Sequence, residues 1–123
     1  MDLVPNRLPI DILILSNGPG EVMTWVRPVV EALRSPTFPH LAKARISVIL
    51  APDPHASGQE SEVVKGFPEV DRVQGADAFW SFLLWGKTEQ NWDWHSRGVV
   101  LFLGGDQFSA IAAGKRLGYK IVT

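Results

Sequence analysis

The chain has 123 residues, a length that suits one domain with a single hydrophobic core. Its formal net charge of −1 provides no basic field for nucleic acid, and the absence of cysteine excludes both a disulfide framework and a thiolate metal site. No apolar run approaches the roughly 20 residues of a membrane span. Residues 1–9 lack the apolar segment of a signal peptide, so we expect a cytoplasmic protein, at most peripheral at the inner membrane surface.

The first predicted element is a buried strand at 10–15, a run of apolar and β-branched residues with one aspartate. The segment Ser-Asn-Gly-Pro-Gly that follows predicts a tight loop. Apolar residues spaced by three or four from 22 to 33 then predict a helix. A proline inside a helix costs about 3 kcal/mol, whereas one in the first turn costs little. Pro28 therefore places the start of this helix near 23–25.

The rest of the chain alternates between strands and helices in the same way. The predicted elements are a strand at 45–50, a short helix from a capping box at 57–60 toward Gly66, a strand at 70–73, a helix at 76–85, a strand at 98–103, a helix from 104 to about 117, and a strand at 119–122. Gly118 is the expected C-terminal stop of the last helix. The stretch 87–97 is predicted to be a polar loop.

This alternation predicts βαβ units and a parallel sheet covered by helices on both faces. The expected fold is a doubly wound, Rossmann-like α/β domain of three layers, with strand order 3-2-1-4-5. The sequence stops on the fifth strand, and no helix follows to cover that edge. We therefore interpret 1–123 as the single N-terminal domain of a longer protein, and we expect the open edge to favour self-association.

In such sheets ligands bind at the carboxyl ends of the strands where the strand order reverses, here between the first and fourth strands. Two glycine-rich loops follow those strands. The candidate substrate-binding residues in them are Asn17, Gly18, Gly20, Gly104, Gly105 and Gln107. Small residues and the N–H groups of a helix start suit an anion or a sugar hydroxyl. The candidate catalytic residues are Glu21 and Asp106, since a carboxylate can act as general base toward a hydroxyl.

Each of these residues also has a purely structural interpretation. Gly18 and Gly20 can serve only to form a turn, Asp106 can be a helix N-cap, and Glu21 can complement a helix dipole. Asp53 follows the second strand, where a ribose-binding acid lies in dinucleotide-binding folds. The first loop nevertheless lacks the third glycine of G-x-G-x-x-G, which weakens the dinucleotide interpretation.

Aromatic residues are concentrated between 79 and 94. The helix at 76–85 is apolar on more than one face, which favours deep burial, with lipid contact as the alternative. Trp92 and Trp94 lie in a polar loop, where they could stack on a sugar or lie at a bilayer interface. Isolated exposed aromatic residues also occur without any function.

The first strand, the segment 16–21 and a helix with an early proline resemble the opening of GT-B glycosyltransferases. The overall resemblance is to the lipid-A-disaccharide synthase family, including its cyanobacterial-type relatives. The segments 104–109 and 113–118 are similar to that family's aspartate loop and the helix behind it. The resemblance covers most of the chain but only the N-terminal half of the family's fold.

The resemblance implies a metal-independent hexosyltransferase without a cofactor, which moves a sugar from a UDP-sugar co-substrate to a lipid-linked acceptor. This domain would hold the acceptor, Asp106 would match the catalytic aspartate, and a C-terminal domain absent here would hold the donor. The chain alone is then expected to be inactive. The first loop reads Gly-Glu-Val-Met-Thr-Trp where the family has Gly-Glu-x-Ser-Gly-Asp, which leaves the acceptor open. The alternatives are a stand-alone nucleotide- or dinucleotide-binding module and a non-enzymatic interaction domain.

Overall fold

The computed structural model describes residues 10–16, 26–41, 43–51, 60–88, 90–103 and 107–122. Within them, five parallel strands form one sheet in the order β3-β2-β1-β4-β5. The strands are β1 (Asp11–Ser16), β2 (Arg45–Leu50), β3 (Arg72–Gln74), β4 (Gly98–Phe102) and β5 (Lys120–Val122). The doubly wound α/β fold and the strand order predicted from the sequence are both confirmed.

The described part of the chain has four α-helices between these strands. They are α1 (Arg27–Leu33), α2 (Glu60–Lys65), α3 (Phe79–Trp85) and α4 (Gln107–Leu117), with 3-10 turns at Pro39–Leu41 and Ala76–Ala78. Pro28 lies in the first turn of the described helix α1, where it removes no hydrogen bond that the helix needs. Gly118 ends α4 with a φ of 73°, as the sequence predicts. The capping residues 57–59 predicted ahead of α2 lie outside the described residues.

Two predicted elements begin differently in the structure. The third strand starts at Arg72 rather than at 70, because the Val70 N–H donates to the Phe67 carbonyl in a turn at 3.2 Å. The predicted helix at 76–85 opens as a 3-10 turn and becomes α-helical only from Phe79. Both differences concern the first residues of an element, where local turns compete with regular structure.

The sheet separates two hydrophobic clusters, because successive side chains of a strand point to opposite faces. Ile12 and Ile14 of β1 pack with α1 and α2 on one face, whereas Leu13 and Leu15 pack with α3 and α4 on the other. Every residue of β1 is buried, as expected for a central parallel strand. The helices therefore form an outer layer on each side of the sheet.

Helix α3 is buried on one face only. Phe79, Phe82 and Leu83 are buried against the sheet. Trp80 and Trp85 are 57% and 70% exposed, so the expectation of deep burial holds for half of the helix. The reason is geometric, since a helix that lies on a sheet turns only one face toward it.

The sheet ends at β5, which pairs with β4 and with no other strand of the described part. All three residues of β5 are exposed. Self-association through this edge stays a prediction. None of the helices in the described part is long and apolar enough to cross a membrane.

Candidate functional site

Nearly all of the site residues predicted from the sequence lie outside the described residues. These are Asn17, Gly18, Gly20, Glu21, Gly104, Gly105 and Asp106, together with the alternative candidate Asp53. Gln107 is the first residue of α4, and its backbone alone is described. The roles of these residues stay predictions, and the structure describes the strands and helices that flank them.

The two glycine-rich segments follow neighbouring strands. β1 and β4 pair in parallel with Leu15 opposite Phe102, and the Leu103 N–H donates to the Leu15 carbonyl at 3.0 Å. Strands in one sheet lie about 4.8 Å apart, so the last residues of β1 and β4, which precede the two segments in the sequence, lie side by side. α1 and α4 lie on opposite faces of the sheet. The carboxyl ends of β1 and β4 therefore form the switch point, where ligands of doubly wound folds bind.

Ser16 ends β1 at this edge with a fully buried side chain. Its carbonyl accepts a hydrogen bond from the Ala51 N–H at 2.9 Å, but its hydroxyl has no partner within the part of the chain that the structure describes. A buried hydroxyl without a partner costs roughly 1–3 kcal/mol, so its presence calls for an explanation. Ser16 was not among the site residues predicted from the sequence. The signal that could have indicated it is a polar residue at the end of an apolar strand.

The opposite, amino end of the sheet is built around Asp11. This carboxylate is fully buried and accepts two hydrogen bonds from the Arg45 guanidinium, at 2.6 and 2.9 Å. The His95 N–H donates to it at 2.6 Å, and the Tyr119 hydroxyl lies 3.1 Å away. Asp11 thereby links β1, β2, the loop before β4 and the residue before β5.

Arg72, the first residue of β3, extends this network. Its Nε donates to the Ser47 hydroxyl at 2.9 Å, and its Nη1 donates to the Asp93 carbonyl at 2.8 Å. The guanidinium lies over the rings of Trp92 and Trp94, 4.4 and 4.8 Å from their centroids. Both indoles are partly buried, so aromatic and cation–π contacts anchor the predicted polar loop, with its two tryptophans, on the sheet.

The contacts at the amino end shift the pKa values of Asp11, Arg45 and Tyr119. Burial by itself raises the pKa of Asp11, but the hydrogen bonds from Arg45 and the His95 N–H outweigh it and bring the pKa below 3.8. The hydrogen bond to Asp11 is the main reason that the pKa of Arg45 is raised. Burial raises the pKa of the Tyr119 phenol, and the Asp11 charge raises it further. Asp11 is thus an ionised, fully engaged structural carboxylate at neutral pH.

Sequence reasoning missed this network, although a signal was present. Each of the first three strands begins with a charged residue, namely Asp11, Arg45 and Arg72. Parallel register places Asp11 directly opposite Arg45. Within the described residues, no group of three or more His, Asp or Glu side chains is close enough to hold a metal ion.

Comparison with known proteins adds no relative: no family model, no curated protein and no solved structure matches the chain. The fold places it in the class of doubly wound α/β domains with a switch point between β1 and β4.

Proposed function

We propose that the chain is the acceptor-binding domain of a metal-independent glycosyltransferase that moves a sugar from a UDP-sugar to a lipid-linked or glycolipid acceptor. The observation that supports this most is the parallel pairing of β1 with β4, after which both glycine-rich segments begin. That pairing makes Glu21 and Asp106 candidates for one crevice at the switch point. The Ser16 hydroxyl at the same end of the sheet has no partner among the described residues, which is compatible with a polar ligand there.

The chemistry of the proposal needs one base and one leaving group. The oxygen of the acceptor hydroxyl attacks the anomeric carbon of the donor sugar, and the bond from that carbon to the UDP phosphate oxygen breaks with its electron pair. The hydroxyl proton passes to a carboxylate, which we assign to Asp106 because it follows β4 and matches the aspartate implied by the resemblance. Glu21, which follows β1, is the second candidate.

The exposed face of α3 supports a lipid-linked acceptor. Trp80, Leu84 and Trp85 are each more than half exposed and lie on one solvent-facing side of the helix. Lys87 and Arg116 are exposed beside them, and the Arg116 guanidinium donates to the Leu84 carbonyl at 2.5 Å. Tryptophan flanked by basic residues is typical of surfaces that rest on anionic lipid head groups. We propose peripheral membrane contact through this face.

A turnover assay tests the proposal. The 123-residue chain and the product of its full reading frame would each be incubated with a series of labelled UDP-sugars and a bacterial lipid extract. We expect a labelled glycolipid only from a protein that also carries a donor-binding domain. Turnover by the 123-residue chain alone would contradict the assignment of acceptor binding to this domain. Absence of transfer, together with nucleotide or dinucleotide binding to the chain, would instead support the stand-alone module.

A further inference from the structure

Helices α3 and α4 form one layer on the same face of the sheet. α3 follows β3 and α4 follows β4, so in a parallel sheet both helices start at the carboxyl ends of the strands and run side by side toward the amino ends. Arg116 joins their C-terminal ends, because its guanidinium donates to the Leu84 carbonyl at 2.5 Å and its aliphatic stem passes close to Gly86. The outer surfaces of the two helices are therefore continuous.

The outer surface of this α3–α4 layer carries large apolar side chains from both helices. Trp80, Leu84 and Trp85 of α3 are each more than half exposed. Ile111 of α4 is 43% exposed, whereas its neighbour Ala110 is buried against the sheet. Single exposed apolar residues are normal, but a group of them on one surface indicates an interaction site.

The charges of the layer have one sign within its two helices. α3 has no charged residue, and the only charged residues of α4 are Lys115 and Arg116. Lys87 follows α3, and all three basic residues are exposed. By contrast, α1 and α2 on the other face of the sheet each contain acidic as well as basic residues. The α3–α4 layer is therefore the helical surface that suits an anionic partner.

A structural role accounts for part of this charge. Basic residues in the last turn of a helix complement its dipole, which applies to Lys115 and Arg116. Lys87 lies beyond the end of α3, so the same argument does not apply to it. Neither Lys87 nor Lys115 pairs with an acid in the part of the chain that the structure describes. Their charges are available to a group outside the protein.

An anionic bilayer is the partner that uses both features of this surface. Its head groups attract exposed Lys and Arg, and tryptophan and leucine enter the boundary between head groups and acyl chains. A soluble anion would bind the basic residues and leave the apolar side chains in water. A neutral bilayer would accept the apolar side chains and leave the basic residues without partners.

We infer that the α3–α4 layer docks on anionic lipid, and that Lys87, Lys115 and Arg116 select anionic over neutral bilayers. The inference rests on the proposed membrane contact and adds α4 and the lipid class to it. α4 begins at the carboxyl end of the sheet, where the switch point lies. A layer that lies flat on the bilayer therefore leaves the switch point beside the lipid surface, where a lipid-linked head group is within reach.

Co-sedimentation of the chain with vesicles tests the lipid selectivity. The vesicles contain phosphatidylcholine with increasing fractions of phosphatidylglycerol, and inorganic phosphate is the soluble competitor. We expect affinity to rise with the phosphatidylglycerol fraction. Lys115→Gln should weaken binding to anionic vesicles roughly fivefold and Lys115→Glu roughly 25-fold, because one basic residue near an anionic surface contributes about a factor of five. Binding to neutral vesicles should be the same in both variants as in the wild type.

Lys65→Glu is the matched control, because Lys65 is the exposed last residue of α2 on the other face of the sheet. It changes the net charge by the same amount as Lys115→Glu and should leave the affinity for anionic vesicles unchanged. Melting temperatures of all variants report whether the fold is kept. Equal losses in Lys65→Glu and Lys115→Glu would overturn the inference, because net charge and not this surface would then determine binding.

The remaining outcomes separate this inference from the proposals on which it rests. Equal affinity for neutral and anionic vesicles would overturn the selectivity and leave the membrane contact in place. Displacement from vesicles by inorganic phosphate, but not by sodium chloride at the same ionic strength, would identify a site for soluble anions and overturn the inference. Absence of binding to any vesicle would overturn both the inference and the membrane contact, while the transferase proposal is tested separately by turnover.

Discussion

The two ends of the sheet have opposite character. At the amino end, Asp11 accepts hydrogen bonds from Arg45 and the His95 N–H and has the Tyr119 hydroxyl within reach. At the carboxyl end, the buried Ser16 hydroxyl has no partner among the described residues, and the glycine-rich segments begin there. The charges of the amino end pair with each other, and this pairing is what sets that end apart. A missing hydrogen-bond partner does not, because Arg72 Nη2 and Trp94 Nε1 at the amino end also lack one among the described residues.

The buried carboxylate at the amino end of the sheet, Asp11, has a structural and not a catalytic role. Asp11 is the most deeply buried acid of the described part, and burial alone would raise its pKa toward the range of a general base. Its partners lower the pKa instead, so it does not take up a proton near neutral pH. Removing this carboxylate would leave buried partners without an acceptor, which makes Asp11 a structural residue. We expect a catalytic acid at the other end of the strands.

The largest expected effect is the loss of stability in Asp11→Ala. The substitution leaves the Arg45 guanidinium and the His95 N–H without their acceptor. Removing one partner of a buried ion pair typically costs about 3–5 kcal/mol in the free energy of unfolding. Urea unfolding monitored by tryptophan fluorescence measures the difference.

Asp93→Asn provides the matched control, because Asp93 pairs with the same Arg45 at 3.0 Å from an 81% exposed position. We expect a small decrease that added salt abolishes, as is usual for exposed pairs. Equal losses from the two substitutions would mean that burial does not distinguish them, and the contrast between the two ends would lose its energetic basis.

The Asp11 network should make the free energy of unfolding decrease at both acid and alkaline pH. The folded-state pKa of Asp11 is lowered, so its contribution is complete above its ordinary value of 3.8 and is lost as the pH falls through the folded value. The folded-state pKa of Tyr119 is raised, so its contribution is complete below 10.0 and is lost at higher pH. Each unit of difference corresponds to about 1.4 kcal/mol.

Tyr119→Phe isolates the alkaline side of this profile. It should cost about 1 kcal/mol at neutral pH through the lost hydrogen bond, and the decline in stability above pH 10.0 should become shallower. Urea unfolding at a series of pH values measures both quantities. Identical alkaline slopes in the wild type and the variant would show that Tyr119 does not carry the effect.

The sequence predicted the fold well because its signals were local. The apolar runs of β1, β2 and β4 and the alternation with helices predict a parallel sheet, and its order is one that is common among doubly wound folds. The Asp11 network depends on contacts across 34 residues to Arg45 and 108 residues to Tyr119, which no periodicity reports. The split of α3 into a buried and an exposed face was equally hidden, because apolar residues occupy both of its sides.

A smaller effect is expected at the exposed face of α3. Trp80 and Trp85 are exposed, whereas Trp92 is partly buried under Arg72. Flotation with anionic vesicles should therefore weaken by roughly tenfold in the double variant Trp80→Ser, Trp85→Ser, since burying a large apolar side chain contributes about 1.5–3 kcal/mol when complete. Phe38→Ser, at an exposed aromatic residue after α1, should change nothing. Unchanged flotation of the double variant would remove α3 from the membrane proposal.

The central claim is that the carboxyl end carries the chemistry and the amino end the stability. Its most direct test measures turnover and melting temperature of Asp106→Asn and Asp11→Asn in the full reading frame, with Glu21→Gln beside them. Asp106→Asn should lower turnover by roughly 10²–10⁴ and keep the melting temperature, because asparagine caps a helix as well as aspartate but cannot take the proton. Asp11→Asn should lower the melting temperature and keep turnover at temperatures where the protein stays folded. A large loss of turnover in Glu21→Gln alone would identify Glu21, after β1, as the general base. Near-full turnover in both Asp106→Asn and Glu21→Gln would contradict the claim.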